Sequence, residues 1–283
     1  MKTRLRIATL MTPPALTLLA LFVIPLVVMA LFSFRAGTFG AQRDIFTFEH
    51  YRAYLDNTVY HNLLLRSAWV ALETALYSVL LAFPVAYYLA FHAGSKRFSL
   101  LTLLLVPAWT SYLLRVLAWK IMLSSGGVFN AALLALGLVE EAKPILLYTR
   151  GAVIITLVYV WIPFVALPIY SALQRIDPSL LEAAADLGSP PWRTFLKVTL
   201  PLSLPGVLAG FFIVFIPTLG EWVTPLLVGG VSGSMYGNVI QDQFVRALNW
   251  PVGSLMSLVM LGFVLLFLLL FSRIGRLSDL AGV

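Results

Sequence analysis

"GAVIITLVYVWIPFVALPIYSALQ", residues 151–174, runs for twenty-four residues without an Asp, Glu, Lys or Arg. At about 1.5 Å per residue, a helix of that length crosses a bilayer core of about 30 Å. Lipid offers no hydrogen-bond partners, so a chain crossing it must be a helix or part of a closed barrel. A continuous apolar run, rather than ten-residue alternation, selects the helix. The same signature recurs at 7–34, 74–95 and 247–272, which are also free of those four residue types. Working outward from these runs gives six spans near 10–33, 64–91, 99–122, 149–173, 199–220 and 251–272. The expected class is an all-α integral membrane protein, with residues 1–283 forming a single transmembrane domain.

Composition agrees. Of 283 residues, 60% are hydrophobic and only 11% charged, far too few charges for the surface of a soluble domain. No cysteine is present, which excludes disulfides, thiolate catalysis and cysteine-held zinc. The net charge of +7 follows a membrane pattern rather than a nucleic-acid-binding one. The first apolar run is read as a retained span, since no small-residue cleavage site follows it persuasively.

Orientation follows the basic residues. With the N-terminus inside, inner segments hold ten Lys and Arg and outer segments six. Both termini are therefore expected in the cytoplasm, and so is 174–198. Stretches 124–147 and 222–250, broken by "SSGG", "SGS" and "NWP", are read as ordered outer loops. Pro25, Pro84, Pro107, Pro163, Pro168 and Pro217 fall within the first five spans, as kinks or hinges.

The inner stretch 174–198 is compact and charged. Asp177 is a good N-cap, Pro178 suits the first helical position, and Gly188 suits a helix stop. Ser189 is placed to cap a second helix, with Trp192, Phe195, Leu196 and Thr199 on one face. The first helix has an apolar side through Leu180, Leu181, Ala184 and Leu187. Glu182 and Asp186 lie on the other, and Ala183 to Ala185 allow close approach.

"EAAADLGSPPWRTFLKVTLPLSLPG", residues 182–206, resembles the EAA loop of ABC importer permeases. Glu182, Ala183, Ala184, Gly188, Phe195, Leu200 and Pro201 carry the match. "VPAWTSYLLRVLAWKIMLSSGGVFNAALLALGL" (106–138), "PTLGEWVTPLLVGG" (217–230) and "GNVIQDQFVRALNWPVGSLMS" (237–257) resemble permeases of spermidine/putrescine systems. The resemblance implies a type I importer permease fold in the bacterial inner membrane. It implies a coupling helix near 178–187 that docks on a cytoplasmic ATPase dimer through Glu182, Ala183, Ala184 and Asp186, with Gly188 as the turn. A second permease, a related chain forming a heterodimer with this one, and a periplasmic substrate-binding protein complete the implied assembly.

An external energy source is also what the residues suggest. No G-x-x-x-x-G-K-[ST] phosphate loop occurs; "GSKRFS" at Gly94 lacks the spacing. ATP and magnesium are thus expected on the partner ATPase, with no cofactor, metal or catalytic residue on this chain. His50, His61 and His92 show no ligand spacing. A secondary transporter would favour inverted repeats and a buried ion-handling centre; a membrane enzyme would need a convergent nucleophile or acid–base group. Glu73 is the one clear mid-span acid, and no repeat is evident.

For the substrate pathway, Tyr112, Arg115 and Trp119 share one helix face, with Trp109 about 60° away at ~100° per residue. Glu221 and Trp222, at the outer end of the fifth span, form a pair suited to an ammonium group. A polyamine is the expected substrate; another amine-bearing metabolite is the alternative. Glu73 and Arg66 lie two turns apart, too far for direct pairing.

Overall fold

The computed structural model describes residues 2–37, 43–141 and 146–280, and nearly all of them are helical. Two compact units are distinguished, residues 1–61 with 239–283, and residues 62–238.

The first unit contains α1 (Lys2–Ser33), a two-stranded antiparallel hairpin (Arg35–Ala36 with Arg43–Phe46) and α2 (Glu49–Asp56). Aromatic packing joins its parts. Phe34 stacks on Tyr51 at 4.9 Å, and Phe32 lies 5.9 Å from Trp250. The Ser33 hydroxyl donates to the Ala30 carbonyl at 2.7 Å and lies 2.8 Å from the Tyr51 hydroxyl. The lipid-length part of α1, Met11–Ser33, buries almost none of its apolar surface within the chain.

The second unit is organised by α3 (Thr58–Phe91), α4 (Arg97–Leu105), α5 (Tyr112–Leu123), α6 (Val128–Ala135) and α7 (Arg150–Leu173). The short helices α8 (Pro178–Asp186) and α9 (Pro191–Thr194) then lead into α10 (Leu200–Leu219). Beyond α10 come α11 (Gly230–Gly233) and α12 (Tyr236–Val245), and α13 (Trp250–Leu280) returns to the first unit. The charge-free run at 151–174 is α7, the most buried of the lipid-length helices. It packs on α10 through glycines. A Cβ on Gly206 would lie 2.5 Å from both the Pro168 oxygen and the Ala172 Cβ, and one on Gly210 would lie 3.0 Å from Val165 Cγ1. This G-x-x-x-G spacing lets the two backbones touch, as membrane helices do when lipid supplies no hydrophobic drive.

Among the described residues, six helical stretches have the length and composition to cross a membrane: Met11–Ser33, Thr58–Phe91, Tyr112–Ala135, Arg150–Leu173, Pro191–Leu219 and Trp250–Phe271. The third differs from the sequence expectation of one helix over 99–122. The chain ends α4 at Leu105, makes a 3₁₀ turn over Val106–Trp109, and turns extended at Thr110 (ψ 155°) before α5 begins. Pro107 favours this break because it has no N–H with which to continue the α-helical ladder, although Val106 before it keeps helical dihedrals. The segment 222–238 also differs from a plain outer loop. Val228 and Met235 belong to the core cluster with Val70, Val116, Leu123, Ala152, Val153 and Leu157. Tyr236 is fully buried, and its amide donates to the Ser67 hydroxyl at 2.7 Å.

Candidate functional site

The helix α8 is built as its residues dictate. Asp177 Oδ1 accepts the Ser179 amide at 2.9 Å, and Pro178 occupies the first position. The Ser179 amide and hydroxyl hold the Asp177 carboxyl below its ordinary range. At the other end Gly188 adopts φ +73°. Its amide donates to the Ala185 carbonyl at 2.8 Å, and the Ser189 amide donates to Ala184 at 3.0 Å. These two bonds form a Schellman turn, which favours glycine at the left-handed position. No residue of α8 is buried; Leu180 is 46% exposed and, just past its end, Leu187 is 88% exposed. Glu182, Ala183 and Asp186 are exposed too, and Ala184 is half-buried. This nine-residue helix therefore presents an uncovered apolar stripe beside two carboxylates.

The second helix starts one residue later than its sequence suggests. Ser189 makes no cap. Its amide is committed to the Schellman turn, and Pro190 (ψ 154°) takes the N-cap position, its carbonyl accepting Arg193 and Thr194. The chain then widens into a π-helical turn, Phe195–Thr199. That wider turn breaks the expected common face. Trp192 and Leu196 are 61% and 50% exposed, whereas Phe195 is half-buried and Thr199 buried.

The expected pathway residues divide into those that meet and those that do not. Tyr112 and Thr224 hydroxyls lie 2.5 Å apart. The Tyr112 hydroxyl also interacts with the Glu221 carboxylate and feels the Arg115 charge. Glu221 Oε1 caps the next turn, accepting the Val223 and Thr224 amides at 2.9 and 3.0 Å. The Trp222 carbonyl accepts Asn238 Nδ2 at 2.8 Å, and its ring is 41% exposed. Two separate motifs, 112–119 and 221–224, thus converge. Arg115 donates to the Val160 carbonyl at 3.4 Å, while its buried Nε has no acceptor. Beside it runs a groove of about 440 Å³ lined by Thr110, Leu114, Arg115, Ala118, Trp119, Met122 and Tyr159. Trp119 packs between Phe129 (5.7 Å) and Tyr159 (5.5 Å). Trp109 stands apart. It lies within the helix break, is 81% exposed, and loses the helical register that would align it with Tyr112.

One ion pair escaped the sequence. Glu73 does not pair with Arg66; it binds Arg150, the first residue of α7. Arg66 instead donates to the Val231 carbonyl at 3.2 Å. The partners are separated by seventy-seven residues, so no local spacing announces them. Among the described residues no group of three His, Cys, Asp or Glu is placed to hold a metal.

A helical membrane bundle with an exposed helix–turn–helix before its penultimate span defines a transport permease. Residues 4–280 match the family described as binding-protein-dependent transport system inner membrane component, and the chain belongs to that family. It is similar to the spermidine/putrescine transport system permease protein PotB of Escherichia coli (strain K12), 39% identical over 83% of this chain and 85% of that one. PotB of Haemophilus influenzae is 35% identical over 82% and 81%. In fold it resembles a chain of a bacterial ABC transporter involved in import of the acidic polysaccharide alginate, with a TM-score of 0.77, 16% identity, and coverage of 97% and 96%. The protein is therefore a multi-pass inner-membrane permease subunit of an ABC importer, not an enzyme. It works with a separate ATPase and a substrate-binding protein.

Proposed function

We propose that this permease forms one half of the pathway by which a polyamine enters the cell. The similarity to the two PotB proteins, over more than four-fifths of this chain, is the observation that carries the substrate class. In this reading both termini and residues 174–198 face the cytoplasm, and a second, related permease completes the pathway. ATP and magnesium act on the ATPase dimer. Closure of the ATPases draws α8 inward and opens the cavity outward; hydrolysis resets it. The permease is then a two-state element biased from both sides. Glu221 and the Trp222 ring supply carboxylate and π-face to an ammonium group, with Tyr112, Arg115 and Trp119 along the same wall. Trp109, within the helix break, extends that wall.

Arg115 supports a second reading, another amine-bearing metabolite. A guanidinium with an unpaired Nε beside the groove suits a cargo that carries an anionic group as well. The deciding measurement is ATP turnover of the complete complex in nanodiscs with its binding protein. Spermidine or putrescine is expected to raise turnover. Turnover indifferent to both, but raised by an amine-bearing anion, replaces the first reading with the second.

Two variants test α8. Glu182→Arg is expected to insert normally yet lower uptake about tenfold by replacing an attractive contact with a like-signed one. Normal uptake by that variant removes Glu182 from the docking surface. Gly188→Val forces a branched side chain into a left-handed conformation, costing about 1–2 kcal/mol at the turn. Several-fold less ATPase is expected to co-purify, while monomer thermal stability stays within a degree or two of the parent.

A further inference from the structure

We infer that an aromatic seam formed by Phe83, Tyr87 and Phe195 carries the movement of α8 into α3, with the π-helical turn as its joint. The inference rests on the reading of α8 as the coupling helix and adds the residues that receive its motion.

The contacts are specific. The Phe195 ring meets Phe83 edge-on at 5.6 Å and 89°, and Tyr87 at 6.0 Å and 75°. Phe83 and Tyr87 are one helical step of four apart on α3, so they present a single slot. Tyr87 is itself braced by Phe91 at 5.0 Å and His92 at 5.6 Å. All three seam residues are half-buried. Edge-to-face geometry is directional, so a sideways shift of one ring is resisted by the other two.

The chain between α8 and Phe195 is built to transmit displacement. The Schellman turn closes α8, and Pro190 and Pro191 fix two backbone φ angles immediately after it. Phe195 then opens the π-helical turn, whose last bond runs from the Leu200 amide to the Phe195 carbonyl. A π turn carries one residue more than an α turn and is a recurrent site of local adjustment. The stiff part therefore ends at Phe195, and the compliant part begins there. Motion of α8 reaches α3 through the rings before it reaches α10 through the backbone. Ten residues along, about 15 Å at 1.5 Å per residue, α3 carries Glu73, whose partner Arg150 starts α7.

The test uses the complete transporter in nanodiscs, with binding protein and ATPase. Phe83→Ala and Phe195→Ala are expected to leave assembly and basal ATP hydrolysis intact. Substrate moved per ATP should fall threefold or more, as expected for loss of a directional ring pair, about threefold in equilibrium terms. Phe195→Tyr keeps a ring and should restore the ratio. The double variant should be no worse than Phe195→Ala alone, since that substitution already removes the ring contacts with both Phe83 and Tyr87. An unchanged ratio in assembled complexes overturns the seam, as does a fall in their basal hydrolysis as large as the fall in uptake. Glu182→Arg in the same assay separates the two ideas. If it uncouples and the seam variants do not, the seam is wrong and the coupling helix stands. If neither uncouples, the reading of α8 fails first. Should the alanine variants not assemble, Phe83→Cys with Phe195→Cys provides a second route in a chain that has no other cysteine. Unlinked, this variant should move about threefold less substrate per ATP; a short reducible thiol cross-linker, by tying the two positions together again, should raise the ratio and its reduction should lower it; a ratio indifferent to linking overturns the proposal.

Discussion

Gly206→Leu is expected to yield no stable folded permease, and Gly206→Ala a permease that melts well below the parent. The reason is where the new carbon would go. A Cβ at 206 meets the Pro168 carbonyl oxygen and the Ala172 Cβ, each at 2.5 Å. Neither is the far end of a flexible side chain, so the helices α7 and α10 must separate. Overpacking of this kind costs about 1–3 kcal/mol for one methyl and more for a branched side chain. Helix propensity pulls the other way, by about 1 kcal/mol in favour of alanine. The contact decides the sign. Two controls isolate it. At Gly210 the nearest atoms are Val165 Cγ1 at 3.0 Å and the Val165 carbonyl oxygen at 3.3 Å, a few tenths of an ångström tight rather than a clash, so Gly210→Ala should destabilise less. At Gly262 nothing lies within 4 Å, so Gly262→Ala should be neutral or stabilising. Melting in detergent, followed by tryptophan fluorescence, ranks the three. A Gly206→Ala protein as stable as the Gly262→Ala one shows that the α7–α10 approach is not what holds this unit together.

The helical class was legible because lipid leaves few alternatives. Runs such as 151–174 announce themselves by lacking charge, and α7 begins and ends within a residue or so of that reading. The helix–turn–helix at 177–194 was legible for a different reason: Asp177, Pro178 and Gly188 each have a local backbone job, and local jobs are visible in sequence. Ser189 misled because the helix it would cap begins one residue later. Pro190 is extended (ψ 154°) and Pro191 opens the helix, so the cap position falls on Pro190. The break at 106–111 was marked by Pro107, yet other span prolines stay inside helices, so proline alone does not say which helix will end. The G-x-x-x-G at Gly206 and Gly210 was also present in the letters and carries a known packing mechanism. What no spacing could give is the convergence of Tyr112 with Thr224 and Glu221, and of Glu73 with Arg150. Those meetings depend on helix packing across the unit.

Glu73→Ala follows from that second meeting, and its expected effect is comparable to that of Gly206→Ala. Arg150 opens α7, where the helix dipole places partial positive charge. A cation there is disfavoured twice, by the dipole and by the apolar surroundings, and its Nε already lacks an acceptor. The Glu73 carboxylate offsets both. Removing it strands a guanidinium that is only 36% exposed. For a fully buried pair the loss is about 3–5 kcal/mol; partial exposure reduces it here to about 2 kcal/mol. Arg150→Met should cost about as much as Glu73→Ala, because the relief at the helix dipole is offset by stranding the more buried partner, a carboxylate 24% exposed against 36% for the guanidinium. Glu73→Leu combined with Arg150→Met leaves no charge unpaired, so it should recover most of the melting temperature. It should not recover uptake, because the link between α3 and the start of α7 is gone. Melting and ATP-coupled uptake, measured on the same preparations, therefore separate in the double variant. If uptake returns along with stability, the pair serves only to neutralise two charges, and α3 reaches α7 by another route.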